Sequence, residues 1–443
     1  MKIVRIGAGA GFSGDRIEPA VALAREGALD YLVFECLAER TIALAQLARL
    51  ADPDAGFDTR LVRRMRAVLP ECARHGTRVI SNMGAANPWA AARATARVVR
   101  ELGVSLRVAA VLGDDVTERI GPCILDELGA PAAVLGDALV SANAYIGVSG
   151  IVEALRAGAD IVLCGRVADP ALFLGPLVHE FGWSMEDWTR LGKGTLVGHL
   201  LECGPQVSGG YFADPGKKDV PDLAQVGYPF AEVTEEGDAV VTKLPGTGGR
   251  VSRATCIEQL LYEIHDPARY LQPDVVADFS GVTFDEVGPD RVAVRGGSGQ
   301  PKTGTFKVSV GSRDGWIGQG EISYAGPGAV ERAHLAARIV EERLGPLGNG
   351  ISAVRSDLIG VDAILPPGGD AAIPRDVRLR VAAQCATQEL AEAVGDEVEA
   401  LYLCGPAGGG GVSRSVREVI GIRSGLISAS SVPATVRFAE DAP

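Results

Sequence analysis

The residues with chemistry in this chain stand just after short apolar runs. GAGAGFSGDR (residues 7–16) includes Gly11 and ends in Asp15 and Arg16; Glu35 and Cys36 follow YLVF. Asn82 and Asn87 lie in SNMGAANP, Asp114 and Asp115 follow VAAVLG, Asn143 and Tyr145 follow VSA, and Arg166 and Asp169 follow ADIVLCG. Glu35, Asp114 and Asp115 are of the type that moves protons as general acid or base. Asn82 and Asn143 can orient an oxygen atom. Arg166 is expected to clamp a carboxylate, because its planar fork matches one. Gly11, Asp15, Arg16, Asn87, Tyr145 and Asp169 are expected to contact substrate. The three acids are also hard oxygen donors suited to Mg²⁺ or Ca²⁺, and their types leave both uses open. Asx residues cap helices and loops are polar anyway. A polar or titratable group in every one of these loops is what points to a site.

Further groups stand outside that pattern. Cys203, beside Glu202, opens the glycine-rich run CGPQVSGGYF and is a candidate nucleophile, as is Cys36 beside Glu35. Neither is expected to have a histidine base near it, and a buried, inert thiol is the commoner state. Gly9-x-Gly11-x-x-Gly14 followed by Glu35 has the form of a nicotinamide-binding fingerprint. Against it, Gly7 ends the strand, Phe12 then stands where the third glycine belongs, and Pro19 delays the helix. The glycine clusters at 245–249 and 405–411 are each expected to lead into a helix. The second, with Gly409, Ser413, Arg414 and Arg417, would make an anion cradle at a helix N-terminus. Neither carries the Lys-Ser/Thr of a P-loop.

Loops of this kind need strands and helices to hold them. Strands are expected at 2–7, 30–35, 78–81, 106–112, 138–141 and 160–164, as continuous apolar runs. Helices are expected at 18–26, 41–50, 59–75, 88–102, beyond Thr117, at 150–157 and at 170–181. Alternating βα units imply a parallel sheet buried between helices. A doubly wound sheet is the first reading and a β/α barrel its rival. From Leu191 to Gly249 the pattern weakens into expected loops. A helix is expected at 252–264, and short strands divided by Gly/Asp turns over 274–324 read as an antiparallel sheet. A helix at 329–344, strands at 377–384 and 400–404, and helices at 388–394 and after Ser413 complete the chain. The expected organisation is an α/β substrate-binding domain over 1–249 and an α+β domain over 250–443.

Composition limits the function. The chain has 443 residues, 47% hydrophobic and 22% charged, with a net charge of −13, which leaves no basic face for nucleic acid. No apolar stretch reaches the roughly 20 residues of a membrane span. The first residues lack the apolar run of a secretory signal, and the eight cysteines show no CxxC pair. Reduced thiols in a cytoplasmic protein are the expectation.

Six blocks carry a resemblance: residues 7–41 (GAGAGFSGDR to AERT), 81–88, 158–172 (GADIVLCGRVADPAL), 200–223 (LLECGPQVSGGYFADPGKKDVPDL), 258–264 (EQLLYEI) and 405–413. They resemble the acyclic terpene utilisation family AtuA over nearly the whole chain. The resemblance implies degradation of citronellol- and geraniol-type terpenoids, or of other carboxylic acids, through branched acyl-CoA intermediates. It also implies a small companion subunit or domain in many members. The expected activity is hydratase or lyase chemistry on a branched or unsaturated carboxylic acid or its CoA thioester, in a homo-oligomer. A NAD(P)-dependent oxidoreductase and a non-catalytic scaffold for an acyl-CoA pathway are the alternatives.

Overall fold

Side chains on neighbouring strand positions enter two different cores. Val4, Ile6 and Ala8, Tyr31 and Val33, Ala109 and Val111, and Val162 and Cys164 point to one face of a sheet. Leu32 and Phe34, Val108 and Ala110, and Ile161 and Leu163 point to the other. A strand turns successive side chains to opposite faces, so apolar residues at every position require a cover on both sides. Helices Glu18–Glu26, Leu61–His75 and Pro88–Leu102 cover one face, and Ser149–Arg156, Ala171–Phe181 and Trp188–Glu202 the other.

The computed structural model describes residues 2–365 and 374–439. The main sheet has ten strands, of which Ile3–Ala10, Tyr31–Phe34, Arg78–Ser81, Ile161–Cys164 and Val108–Leu112 lie side by side in parallel. Antiparallel strands extend both sides: Thr435–Phe438 beyond Val108–Leu112, and Pro229–Thr234, Ala239–Lys243, Arg291–Arg295 and Thr283–Gly288 beyond Ile3–Ala10. The sheet is therefore mixed. It is also open at Thr283–Gly288 and Thr435–Phe438, which rules out the barrel. The expected antiparallel strands over 274–324 exist but divide. Two join the main sheet, and Tyr270–Leu271, Val276–Asp278 and Ser298–Gln300 form a small sheet of three.

The chain forms two compact units, the described residues up to Gly311 with those from Ile422 on, and Ser312–Gly421. This division replaces the expected one at 249/250, because Ala239–Lys243 pairs with Arg291–Arg295 across that point. In the second unit Asp376–Cys385 pairs antiparallel with both Ile351–Ile359 and Trp316–Ala325. Ala333, Val340, Leu379 and Val394 pack helices Ala329–Leu344 and Gln388–Glu399 onto it.

Four local expectations are corrected. Beyond Thr117 the expected helix gives way to two 3₁₀ turns, Thr117–Arg119 and Ala132–Ala138, and two short strands, Ile124–Leu125 and Ala130–Pro131. The expected loop after Leu191 is part of the helix Trp188–Glu202. Leu401–Cys404 is a short helix and not a strand. Gly410–Ser428 is a strand, as its β-branched Val412, Val416, Val419, Ile420 and Ile422 favour. Among the described residues no helix is long and apolar enough to cross a membrane.

Candidate active site

A cavity of about 650 Å³ lies among the loops that follow Ile3–Ala10, Tyr31–Phe34 and Ile161–Cys164. Ligands of open α/β sheets bind outside the carboxyl ends of parallel strands, and this is such a place. Gly11, Asp15, Glu35, Arg166, Asp169 and Cys203 line it. So do Glu39, Glu202, Tyr211, Tyr262 and Glu263, which sequence reasoning did not select.

Glu35 is held by one oxygen. Its Oε1 accepts from Asn82 Nδ2 at 2.8 Å and from the Leu37 amide at 2.9 Å. Asn82 Oδ1 in turn accepts the Cys36 amide at 2.7 Å, so Asn82 orients Glu35 from beneath. Burial pushes the Glu35 carboxyl well above its ordinary range, and the charge of Asp169 adds to this against Arg166.

Arg166 is buried, and its guanidinium is spent on its own chain. Nη1 donates to Leu37 O at 2.5 Å, Nε and Nη2 donate to Val167 O at 3.1 and 2.6 Å, and Nη2 also meets Asp169. The Tyr145 ring covers it, with the guanidinium carbon 4.4 Å from the ring centroid. The fork needed to clamp a substrate carboxylate is thus occupied by protein acceptors. Below it, Asp114 Oδ2 accepts the Arg166 amide at 2.8 Å and Asn143 Nδ2 at 3.0 Å. Burial raises Asp114 to about 6. Asp114 and Asn143 therefore brace Arg166 and do not line the cavity. Tyr145 donates to Glu39 Oε1 at 2.5 Å. Against burial, that bond, the backbone amide of Glu39 and Lys307 hold Glu39 down at about 2.

The first glycine loop is closed on itself. Asp15 Oδ2 accepts the amides of Gly11 at 2.6 Å and Phe12 at 3.3 Å. Buried Arg64 holds the same loop by donating to the carbonyls of Ser13 at 2.8 Å and Asp15 at 3.1 Å. Amides that would have to meet a pyrophosphate are already taken, and the helix begins only at Glu18. The nicotinamide reading loses its structural basis.

Contrary to the expectation for Cys203, a histidine stands one helical turn before it, paired with Glu202. His199 and Glu202 sit one turn apart on Trp188–Glu202, with Nδ1 and Oε1 2.9 Å from each other. The imidazole is buried against Tyr270 and Phe279, and its Nε2 lies 3.2 Å from Leu260 O. Burial, with Asp169 and Glu263, pushes the Glu202 carboxyl well up; burial also pushes His199 down to about 4. The readable signal was the i, i+3 spacing of H-L-L-E in a helix.

Cys203 and Cys36 are poor nucleophiles here, because burial drives both thiols upward and neighbouring carboxylates add to it. Asp115 turns outward to Thr117 and Arg49, away from Glu35. Asn87 caps Pro88–Leu102 and ties down the carbonyls of Pro53 and Ala55, a structural task. Arg16 is exposed and donates to Ala224 O. Gly409 and Ser413 belong to the second unit and precede or lie in a strand, so no helix N-terminus makes them an anion cradle. Glu35, Asp114 and Asp115 do not gather as metal ligands. Among the described residues no group of three such side chains does.

The model of the acyclic terpene utilisation family protein AtuA matches residues 4–438. No curated protein and no solved structure matches the chain. The chain belongs to the AtuA family, whose description places it in acyclic terpene utilisation.

Proposed function

We propose that this AtuA-family chain adds or removes water at a carbon–carbon double bond next to the carbonyl of a branched acyl group carried as a CoA thioester. One observation carries the reading: two carboxyl groups, Glu35 and Glu202, line one cavity and are both driven toward the protonated state by burial. Hydration of such a bond needs a base to take a proton from water and an acid to give one to the carbon beside the carbonyl. Glu35, held protonated, would give the proton to carbon, and Glu202, once its own proton has moved away, would take one from water. Water contributes the new C–O bond and the new C–H bond, so no electrons are gained or lost.

The charge of the cavity favours a neutral reacting end. Asp169, Glu39 and Glu263 also line it, while the buried cation Arg166 is already engaged. A free carboxylate would meet these acids unpaired, whereas a thioester carbonyl carries no charge. Phe12 and Tyr211, 60% and 88% exposed, offer apolar faces for a branched chain.

The test is incubation of the purified chain with branched 2,3-unsaturated acyl-CoA thioesters in deuterated water. Loss of the conjugated absorbance and deuterium at the carbon beside the carbonyl are expected. Glu35→Gln and Glu202→Gln should each lower kcat by about 10²- to 10⁴-fold. Full turnover by both variants, or no reaction of the unaltered chain with any such thioester, would overturn the proposal.

A further inference from the structure

A carbonyl oxygen can only accept, so the contact between His199 Nε2 and Leu260 O places a proton on Nε2. In a neutral ring Nδ1 is then a bare acceptor, and it faces Glu202 Oε1. Only two states satisfy both contacts: the shared proton rests on Oε1, or it rests on Nδ1. Asp169, Glu263 and Arg166 are the charged groups that act on the pair, and Tyr270 and Phe279 wall the ring. Gln259 Nε2 donates to the His199 carbonyl at 3.0 Å, so the helix backbone beneath is fixed too. Glu202 Oε2 is buried with no hydrogen-bond partner among the described residues, so no donor there stabilises an anion. An enclosed pair without further donors rests uncharged.

We propose that His199 is a positioning residue that stores the proton of Glu202: the resting pair is imidazole and carboxylic acid, and one proton shift converts Glu202 into a base. The inference rests on the acid–base role given to Glu202 above. In the step, the proton leaves Oε1 for Nδ1. Glu202 becomes a carboxylate at the cavity and His199 an imidazolium still bound to Leu260 O. The reverse shift restores both, and no other bond changes. Glu202 can then take a proton in one half of a cycle and give one in the other.

Nitrogen NMR of protein labelled with ¹⁵N at histidine reads this without a substrate. The chain has five histidines. His75→Gln, His179→Gln, His265→Gln and His334→Gln remove the other four signals one at a time, so assignment does not depend on a His199 variant that may not fold. A neutral ring with its proton on Nε2, constant from about pH 5.5 to 8, is expected. A doubly protonated ring in that range, or a proton on Nδ1 alone, overturns the inference. Where His199→Gln folds, it should lower kcat about 10- to 100-fold with KM within about twofold. An unchanged kcat counts equally against it. The NMR outcome is independent of whether hydration is the reaction, so the two proposals fail separately.

Discussion

Gly11 lies directly against the backbone of Cys203: a Cβ added at Gly11 would fall 2.2 Å from the Cys203 carbonyl carbon. Gly204 answers it, with φ +54 and the place of its own Cβ 2.8 Å from the Gly11 nitrogen. This close approach joins the loop after Ile3–Ala10 to the end of Trp188–Glu202, and so brings Asp15 and Glu202 to one cavity. Because the obstacle is backbone, Gly11→Ala cannot be absorbed by a rotamer change. It should lower the unfolding midpoint by roughly 2–5 °C. Thermal unfolding followed by circular dichroism checks this, and an unmoved midpoint would mean that the loop and the helix end separate freely.

Tyr211 is an aromatic residue held at φ +62 while 88% exposed. That conformation strains a side chain with a Cβ, and little packing offsets it. Tyr211→Gly is expected to raise stability by about 0.5–1 kcal/mol in denaturant titrations. The same change should weaken binding of a branched acyl-CoA several-fold, since the ring lines the cavity. A less stable variant would show that the ring makes contacts worth more than the strain.

The thiols offer a test that needs no substrate. Cys404 is exposed, whereas Cys36 is enclosed and Cys203 is pushed upward by burial. At about pH 7.5, iodoacetamide should label Cys404 first and Cys203 far more slowly, as mass spectrometry of the digested protein would show. Faster labelling at Cys203 than at Cys404 would restore it as a nucleophile.

Asp274 gives a pH effect with a defined sign. Its Oδ2 accepts the Val148 amide at 3.0 Å, and burial raises its carboxyl to about 6. A raised folded pKa means that the native state binds the proton more tightly than the unfolded chain. The contribution to stability is complete below the unfolded value and is lost as pH climbs through about 6. Asp274→Asn cannot ionise, so its stability relative to the unaltered chain should improve between about pH 4 and 7 by roughly 2–3 kcal/mol. Denaturant titrations at several pH values measure it, and a difference independent of pH would remove Asp274 as the cause.

Much of the frame was legible because local signals agreed. Arg78–Ser81, Glu18–Glu26, Pro88–Leu102 and Ala329–Leu344 have the predicted bounds. Pro88 sits at a helix start, behind the Asn87 cap. The end of Trp188–Glu202 is hard to read because the chain turns rich in Gly and Pro just beyond it, and the helix itself carries Gly192, Gly194 and Gly198. In the fold they permit contact: a Cβ at Gly192 would lie 1.9 Å from Ser298 O, and one at Gly198 2.6 Å from Pro170 O. The helix is buried nearly all round, so it shows no polar face to identify it. The same difficulty hides His199 and Glu202. The strand at Gly410–Ser428 reads as a helix from sequence because glycines before a polar run imitate an anion-binding helix start. Asp114 and Asn143 stand after strands as candidate site residues do, yet which way they turn depends on the Arg166 backbone, a partner distant in sequence.

The Asp15 carboxylate sits on the amides of Gly11 and Phe12 as a tethered ligand would. The loop is in effect a receptor whose occupant is covalently part of it, at an effective concentration that no dissolved anion can match. One residue therefore separates this wall of the cavity from a phosphate-accepting one.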